Sequence, residues 1–339
     1  ALCLPCCSEP VADGAPVDSV AAAGSAGAGG ALVSSGGATS TNSGGSAGSV
    51  GGFAGAVSVG GAATGGSGSG GVQSGPIQHR FVAVDNGANR LLLVDEIDEI
   101  RSWDVALPAG ARDLQLLGDA TVLVSHGDGA AEYALDTGAS GWKIAGFSNI
   151  QSAQRLGNGN TLLGQAGTDA TFFEVGSDGS VVTTLVAPGV SELRLARRLD
   201  NGHTLFTGMK GGFLVLEIDE AGASVWEKPL PGKGYVATRS SNGNTLATTG
   251  DALTLLELDT DGTELKHWGG SAEHPDARLR WFSGFQSLAD GHKVVANWLG
   301  HGMEGSGPHI VEFDDANELV WQWEDHLLAQ TITNVLVLE

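Results

Sequence analysis

Basic residues are scarce in this chain, whose 339 residues include 17 Lys and Arg against 39 Asp and Glu, for a formal net charge of −22. Residues 1–75 hold three acidic residues and no basic one, so −19 of that charge falls on residues 76–339. Nucleic acids and anionic membrane surfaces are bound through basic patches. The charge balance therefore excludes nucleic acid as a partner and leaves a membrane contact only through an N-terminal lipid anchor.

Cysteine occurs only at positions 3, 6 and 7, so the rest of the chain has no disulfide and no thiolate chemistry. Long apolar runs are also missing, and no stretch of 18 apolar residues predicts a membrane span. Leu4-Pro5-Cys6-Cys7 resembles a bacterial lipoprotein box, which makes Cys6 and Cys7 candidate lipidation sites. The alternative is a truncated signal peptide without lipid. Either interpretation predicts an extracytoplasmic protein that is periplasmic, anchored at the outer membrane, or at the cell surface or secreted.

Composition divides the chain into three segments. Residues 1–19 are interpreted as a signal remnant or lipoprotein-type N-terminus. Residues 20–75 consist mainly of Gly, Ala, Ser, Thr and Val, with Phe53 as their only aromatic residue, which is typical of a flexible linker. An alternative is that this Gly/Ala-rich segment assembles copies of the chain into a structural polymer. Residues 76–339 are long enough for one sizeable core.

An internal repeat organises residues 76–339. Blocks such as Arg-Leu-Gly-Asn-Gly-Asn-Thr-Leu recur with Asn-Gly or Asp-Gly pairs at 158, 201, 242 and 290, a period of 41–48 residues. Asn-Gly between two apolar runs predicts a tight β-hairpin, because both central residues of the turn need positive φ. A third apolar run ending in an acid follows each hairpin, and then a fourth run that usually carries a Trp. Four short strands in about 40 residues are typical of one propeller blade.

The number of repeats predicts how the ring closes. The first copy has three predicted strands, at 80–85, 90–95 and 100–107, and lacks the innermost one. The chain ends with one extra predicted strand at 331–338. If this strand completes blade one, the result is an all-β, six-bladed propeller with four strands per blade, and no open seam is left between its ends.

These blocks, followed by Glu-x-Asp-x-x-Gly-x-x-x-Trp, resemble the propeller repeats of bacterial arylsulfotransferase-like and quinoprotein-like proteins over roughly residues 80–339. The first resemblance implies sulfuryl transfer by histidines around the central channel, and the second a calcium site with a Trp-rich cofactor dock. The aligned channel positions hold no His, and the repeat Trp residues fall on outer strands, where they are expected to pack between blades. We therefore predict no cofactor.

The start of each innermost strand should face the mouth of the central channel. Arg112 and Arg194 could hold an anionic group there, or could pair with the neighbouring Asp113 and Glu192. The aligned positions are Arg112, Gln151, Arg194, Tyr235 and Ser283, with Thr331 or Thr333 from the closing strand.

Blade six departs from the other repeats through two long loops, at 269–281 and 297–309, on the same predicted face. Exposed Trp and Arg side chains on such loops are typical of a binding patch. A divalent metal held by His301, Glu304 and His309 is one alternative, and a purely structural insertion is another. The residues that these loops bring together are His274, Arg278, Arg280, Trp281, Trp298, His301, Met303, Glu304 and His309.

No complete catalytic constellation appears in the sequence. The pattern favours an exported, tethered propeller that binds or scaffolds a protein or a small-molecule ligand. If the channel arginines are free, that ligand is expected to carry an anionic group. The competing hypotheses are a channel-site enzyme (a hydrolase, lactonase or transferase, with or without a metal) and a structural subunit that assembles through residues 20–75.

Overall fold

The computed structural model describes residues 76–300 and 302–338. In this part of the chain, the β-strands form six four-stranded antiparallel sheets, and one further element is a single turn of 3-10 helix. The predicted all-β, six-bladed propeller is therefore confirmed. No helix among these residues has the length and apolar character needed to cross a membrane. The segments interpreted as an N-terminal remnant and a linker, with Cys6 and Cys7, lie outside the described residues.

Each blade runs from an innermost strand at the axis to an outermost strand at the rim. The second and third strands are the most deeply buried, because they are covered by blades on both faces. In blades one to three the strands are β24 (Ile332–Val337), β1 (Arg80–Asp85), β2 (Arg90–Asp95) and β3 (Trp103–Ala106); β4 (Leu114–Leu117), β5 (Thr121–His126), β6 (Gly129–Ala134) and β7 (Ser140–Ile144); and β8 (Ile150–Arg155), β9 (Thr161–Gln165), β10 (Ala170–Val175) and β11 (Val181–Ala187).

Blades four to six repeat the same order from axis to rim. Their strands are β12 (Ala196–Arg198), β13 (Thr204–Met209), β14 (Phe213–Ile218) and β15 (Ser224–Pro229); β16 (Ala237–Arg239), β17 (Thr245–Thr248), β18 (Thr254–Leu258) and β19 (Glu264–Gly269); and β20 (Phe282–Ser287), β21 (Lys293–Asn297), β22 (Ile310–Phe313) and β23 (Leu319–Trp323).

The C-terminal strand closes the ring as predicted. β24 pairs antiparallel with β1, in a register that sets Phe81 opposite Val337. The buried carboxylate of Asp85 accepts the backbone N–H groups of Gln330 and Thr331 at 2.9 and 3.1 Å, which fixes the chain where it enters β24. Blade one is thus built from the two ends of the propeller sequence.

The predicted third strand of blade one is shorter than expected. Residues Glu99–Arg101 form the 3-10 turn, and β3 begins only at Trp103. The cause is local, because the Asp95 carboxylate accepts the N–H groups of Ile97 and Asp98 at 3.1 and 2.8 Å and holds the chain in a turn.

The outer-strand tryptophans join neighbouring blades, as their place in the repeat predicted. The indole N–H of Trp103, Trp142 and Trp226 each donates at 3.1 Å to a backbone carbonyl of the next blade, namely that of Leu135, Ser177 and Thr260. Trp268 makes the same contact with Asp314 at 3.0 Å. These rings therefore pack between neighbouring blades.

The propeller has two faces of different construction. The channel face carries the loops between blades and the loops that join second to third strands. The turn face carries the Asn-Gly and Asp-Gly hairpins. The channel and blade-six positions predicted from the sequence belong to loops or strand ends of the channel face, apart from His301, which the structure does not describe.

Candidate functional site

Tyr235 closes the central channel below its mouth. It lies just before β16 of blade five, and its hydroxyl reaches across the axis to donate to the carbonyl of Arg112, in the opposite blade, at 3.4 Å. Its own carbonyl accepts the N–H of Leu195 at 3.0 Å and the hydroxyl of Thr207 at 2.9 Å. Burial raises the pKa of Tyr235, although the positive charges of Arg112 and Arg194 act to lower it. The protonated hydroxyl is therefore a fixed donor at the floor of the mouth.

A second group spans the axis beside Tyr235. The guanidinium of Arg197 in β12 donates two hydrogen bonds, of 2.7 and 2.6 Å, to the carboxylate of Asp113. Burial lowers the pKa of Arg197, but the Asp113 charge and hydrogen bonds outweigh it and raise the pKa overall. The predicted alternative that Asp113 pairs with its neighbour Arg112 is wrong, because Arg197 occupies both carboxylate oxygens.

The two channel arginines differ in their partners. Glu192 lies 4.0 Å from the Arg194 guanidinium and also forms an ion pair with the Lys233 ammonium at 2.5 Å, so the predicted Arg194–Glu192 contact is present. Arg112 has no carboxylate partner among the described residues, and its buried Nε has no hydrogen-bond acceptor there. Among the described residues Arg112 is therefore a cation without an ion-pair partner, and its charge acts on the Tyr235 hydroxyl.

The remaining channel positions are mostly committed to the scaffold. The Gln151 amide donates to the Asn149 side chain at 2.8 Å, while its buried Oε1 has no partner among the described residues. Ser283 donates to the carbonyl of Ala296 within blade six at 3.1 Å, and Thr333 to that of Val84 at 3.4 Å. Of these groups, the Gln151 oxygen is the one left for a ligand.

An aromatic wall rises from Tyr235 towards the rim of the mouth. The Tyr235 and Trp281 rings meet edge to face with centroids 5.6 Å apart, and Trp281 and Trp298 repeat that geometry at 5.6 Å. The Trp298 indole donates to Asn86 at 3.2 Å, and the Thr331 hydroxyl donates to the same oxygen at 3.0 Å. Both tryptophans are half-buried.

Glycine at position 250 allows this wall to form. Its φ is +60°, a conformation that few side chains adopt, and a Cβ there would lie 2.7 Å from the Trp281 ring. Any larger residue would displace Trp281 from Tyr235.

The two long loops of blade six meet, as predicted. The Arg280 guanidinium of the first loop donates to the Ser306 hydroxyl and carbonyl of the second at 3.2 and 3.3 Å. Arg278 instead forms a two-pronged ion pair with Glu324, which raises its pKa. Trp281 and Trp298 thus line the mouth, whereas both blade-six arginines hold the loops in place.

The candidate metal ligands are placed differently from one another. His309 is fully buried and accepts the N–H of Asp325 at 3.4 Å, and burial lowers its pKa. Glu304 is exposed, and His301 lies outside the described residues. Within 76–300 and 302–338, no three His, Cys, Asp or Glu side chains form a group that could hold a metal ion. A metal site that includes His301 stays a prediction.

Sequence reasoning missed two features of the channel face. His126, treated as a lone residue, contacts the Asp128 carboxylate through Nδ1 at 2.6 Å and is almost buried. Arg197 stands where other repeats have Gln or Thr, so its departure from the pattern was the available signal. Reasoning that looked only at strand starts passed over it, since it lies one residue inside β12.

Clefts also open on the turn face, where no site was predicted. One of about 510 Å³ lies between blades six, one and two and is lined by Leu116, Leu288 and Leu338. Another, of about 710 Å³, lies between blades four and five, beside the paired Arg239 and Glu217. We place the principal site on the channel face, because a cation that has no carboxylate partner in the described part of the chain lies there with the aromatic wall.

Comparisons with known proteins support the propeller fold. No family model matches the chain, and no curated protein matches it. A solved protein of unknown function from Bacteroides caccae is 22% identical, with a TM-score of 0.66, and the match covers 76% of this chain and 98% of that one. A streptogramin B lyase structure is 13% identical, with a TM-score of 0.50, over 71% of this chain and 77% of that one. At these identities the similarity shows the propeller fold alone.

Proposed function

We propose that this propeller is a binding module whose channel mouth takes a small aromatic anion or the acidic, aromatic end of a partner. The observation that carries the proposal is the position of Arg112, a guanidinium without a carboxylate partner in the described chain, beside the aromatic wall. Carboxylates and sulfate groups pair with guanidinium in two-pronged geometry, and flat apolar groups pack against Trp.

The closed channel supports binding at the mouth rather than passage through the ring. Tyr235 and the Arg197–Asp113 pair fill the axis, so a ligand would lie above the buried Tyr235 ring. Arg194 and the Gln151 oxygen would lie at its sides. Buried polar groups without partners are costly in a folded protein, and a ligand that supplies the missing acceptor for Arg112 removes that cost.

A titration with benzoate and phenyl sulfate, followed through the indole N–H signals of the protein, tests this proposal. We expect saturable shifts of the Trp281 and Trp298 signals, and weaker binding by roughly tenfold or more in the double variant Trp281→Ala/Trp298→Ala. Arg112→Gln should weaken binding of both anions yet leave that of neutral benzyl alcohol unchanged.

Arg101→Gln is the matched control, because Arg101 is an exposed arginine on the turn face, paired only with Asp98. It should bind both anions as the unaltered protein does. Unchanged affinity in the double Trp variant would remove the blade-six loops from the site, and equal losses in the Arg112 and Arg101 variants would reduce the effect to net charge.

A channel-site enzyme is the second candidate, and the contact between His126 and Asp128 favours it. A carboxylate at 2.6 Å orients the imidazole as a general base requires. A hydrolase, lactonase or transferase would use it with or without a metal. Elemental analysis of protein purified without chelators decides the metal-dependent form: a stoichiometric divalent metal that is lost in Glu304→Gln supports it, and a metal-free sample argues against it.

Export and N-terminal tethering complete the proposal. They rest on Cys6 and Cys7 and on the Gly-rich composition of residues 20–75. Intact mass measurement of protein from its native host should show a lipid adduct that disappears in Cys6→Ser/Cys7→Ser. An unmodified mass would leave the propeller without this anchor.

A further inference from the structure

A recurring arginine joins neighbouring blades on the turn face. Arg155, Arg198 and Arg239 occupy the same repeat position and each donates to the glycine carbonyl of its own hairpin, at 3.0, 2.7 and 3.2 Å. Arg155 also pairs with Glu132 of the preceding blade at 2.6 Å and lies 4.2 Å from the Trp142 ring. Arg239 pairs in the same way with Glu217 at 2.5 Å and lies 5.3 Å from Trp226.

We call this combination of an arginine, a Glu from the preceding blade and a Trp ring the inter-blade clip. The contact between blades three and four lacks both the Glu and the Trp of the clip. Thr183 stands opposite Glu174 in the register where Trp226 stands opposite Glu217. Asn158 and Asn160 of its own blade both donate to one oxygen of the Glu174 carboxylate, at 2.9 and 2.7 Å, and the charge of Arg198 acts on Glu174 only from beyond ion-pair distance. Among the described residues Arg198 therefore has neither a carboxylate partner nor a ring over it. A cleft of about 400 Å³, lined by Glu174, Arg198 and Glu220, opens at this seam.

The outer strand beside this cleft, β11, is a sheet edge that carries no charged residue. β11, Val-Val-Thr-Thr-Leu-Val-Ala, is the longest of the outer strands and carries no charge. Val181, Val182 and Val186 are 50, 59 and 40% exposed. Charged residues on edge strands normally oppose the addition of a further strand. Each of the outer strands β3, β7, β15 and β19 contains at least one charged residue. β23 contains no charged residue, but it exposes no large apolar side chain either.

We propose that β11 and the gap over Arg198 form an interaction surface for an extended segment of a partner protein that carries an aromatic side chain. The segment would add to the β11 edge by backbone hydrogen bonds, with apolar or Thr residues against the valines. Its aromatic ring would lie over the Arg198 guanidinium, where Trp142 and Trp226 lie over Arg155 and Arg239 in the other blades. The ring contact supplies affinity that seven backbone positions alone would lack.

A labelled peptide tests this surface. We would measure fluorescence anisotropy of fluorescein-labelled Lys-Thr-Val-Thr-Trp-Thr-Val-Thr-Lys with the full chain, and compare it with the same peptide carrying Ala in place of Trp. Saturable binding is expected, weaker by roughly tenfold for the Ala peptide. Val182→Lys, which charges the edge, and Thr183→Trp, which fills the gap from within, should each weaken binding by a similar factor.

Val225→Lys is the matched control, because Val225 lies on β15, the outer strand of blade four, and is 50% exposed against 59% for Val182. It should leave peptide binding unchanged. Thermal melts show whether each variant folds. Thr183→Trp should have a higher melting temperature than the unaltered protein, because it supplies the ring that lies beside the arginine in the other blades. Absence of binding, or equal binding by the Val182 and Val225 variants, overturns the proposal. Self-association in sedimentation that Val182→Lys abolishes would assign the edge to a second copy instead.

Discussion

At the residue scale, arginines at neighbouring positions of the repeat have different partners. Arg155 and Arg239 are held by Glu and Trp on the turn face, while Arg197, one position inward from the repeat arginine of blade four, turns to the axis and pairs with Asp113. Asp113 is fully buried and also accepts the N–H groups of Leu114 and Ala153, at 2.9 and 3.1 Å. The pair fixes three blades around one carboxylate, which allows Tyr235 to rest above it.

Asp113→Ala should destabilise the protein strongly, since it strands the Arg197 charge near the axis. We expect a loss of about 3 kcal/mol in the free energy of unfolding, the lower end of the range for broken buried pairs. A fifth of the Arg197 side chain is exposed, which moderates the cost. Urea titration measures the loss. The double variant Asp113→Leu/Arg197→Leu should recover most of it, and a double variant as unstable as the single one would show that the charge is not the cause.

At the element scale, glutamine side chains link neighbouring innermost strands by bonding both the N–H and the carbonyl of one residue, as a paired strand would. The Gln115 amide in β4 donates to the carbonyl of Arg155 at 3.2 Å and accepts its N–H at 2.6 Å. Gln286 in β20 does the same with Val337 of β24, at 3.3 and 2.5 Å. Both contacts join innermost strands that follow each other along the chain, 40 and 51 positions apart, but the second one holds the strand that closes the ring on β1.

Gln286→Ala and Gln115→Ala make a matched pair for this reason. Each removes two hydrogen bonds to a neighbouring innermost strand, and we expect each to cost about 2 kcal/mol in the free energy of unfolding. Only Gln286→Ala should speed hydrogen exchange of the β24 amides, because β24 alone can leave the sheet from a chain end. Equal exchange in both variants would mean that closure is no weaker than any other seam.

At the scale of the whole molecule, stability depends on joining the two ends of the propeller. β24 contributes the innermost strand of blade one and buries Ile332, Val335 and Val337 against blade six. A ring distributes its contacts over every seam, whereas an opened ring exposes the edge of β1 and two apolar blade faces.

Deletion of residues 331–339 should therefore cost far more than trimming an ordinary terminus. We expect loss of a single cooperative melt, or a melting temperature at least about 15 °C lower, in differential scanning calorimetry. Deletion of residues 1–77 is the comparison, because Ile77 is exposed and β1 begins at Arg80. If both truncations melted like the full chain, β24 would be dispensable and closure by this strand would not stabilise the ring.

The sequence by itself determined the blades, their number and the closing strand, because Asn-Gly turns and alternating apolar runs are local signals that repeat in register. It also placed Trp281, Trp298 and the channel arginines on one face. Only the tertiary structure decided which charges are paired: Asp113 bonds an arginine 84 positions away rather than its neighbour, and Arg112 is left beside Tyr235. Side-chain partners across an axis are set by the radius and rotation of the ring, which no local pattern encodes. The same holds for Thr183. It takes the place of a Trp that in other blades packs on the arginine of the next blade, and this becomes visible only once blades three and four are seen together.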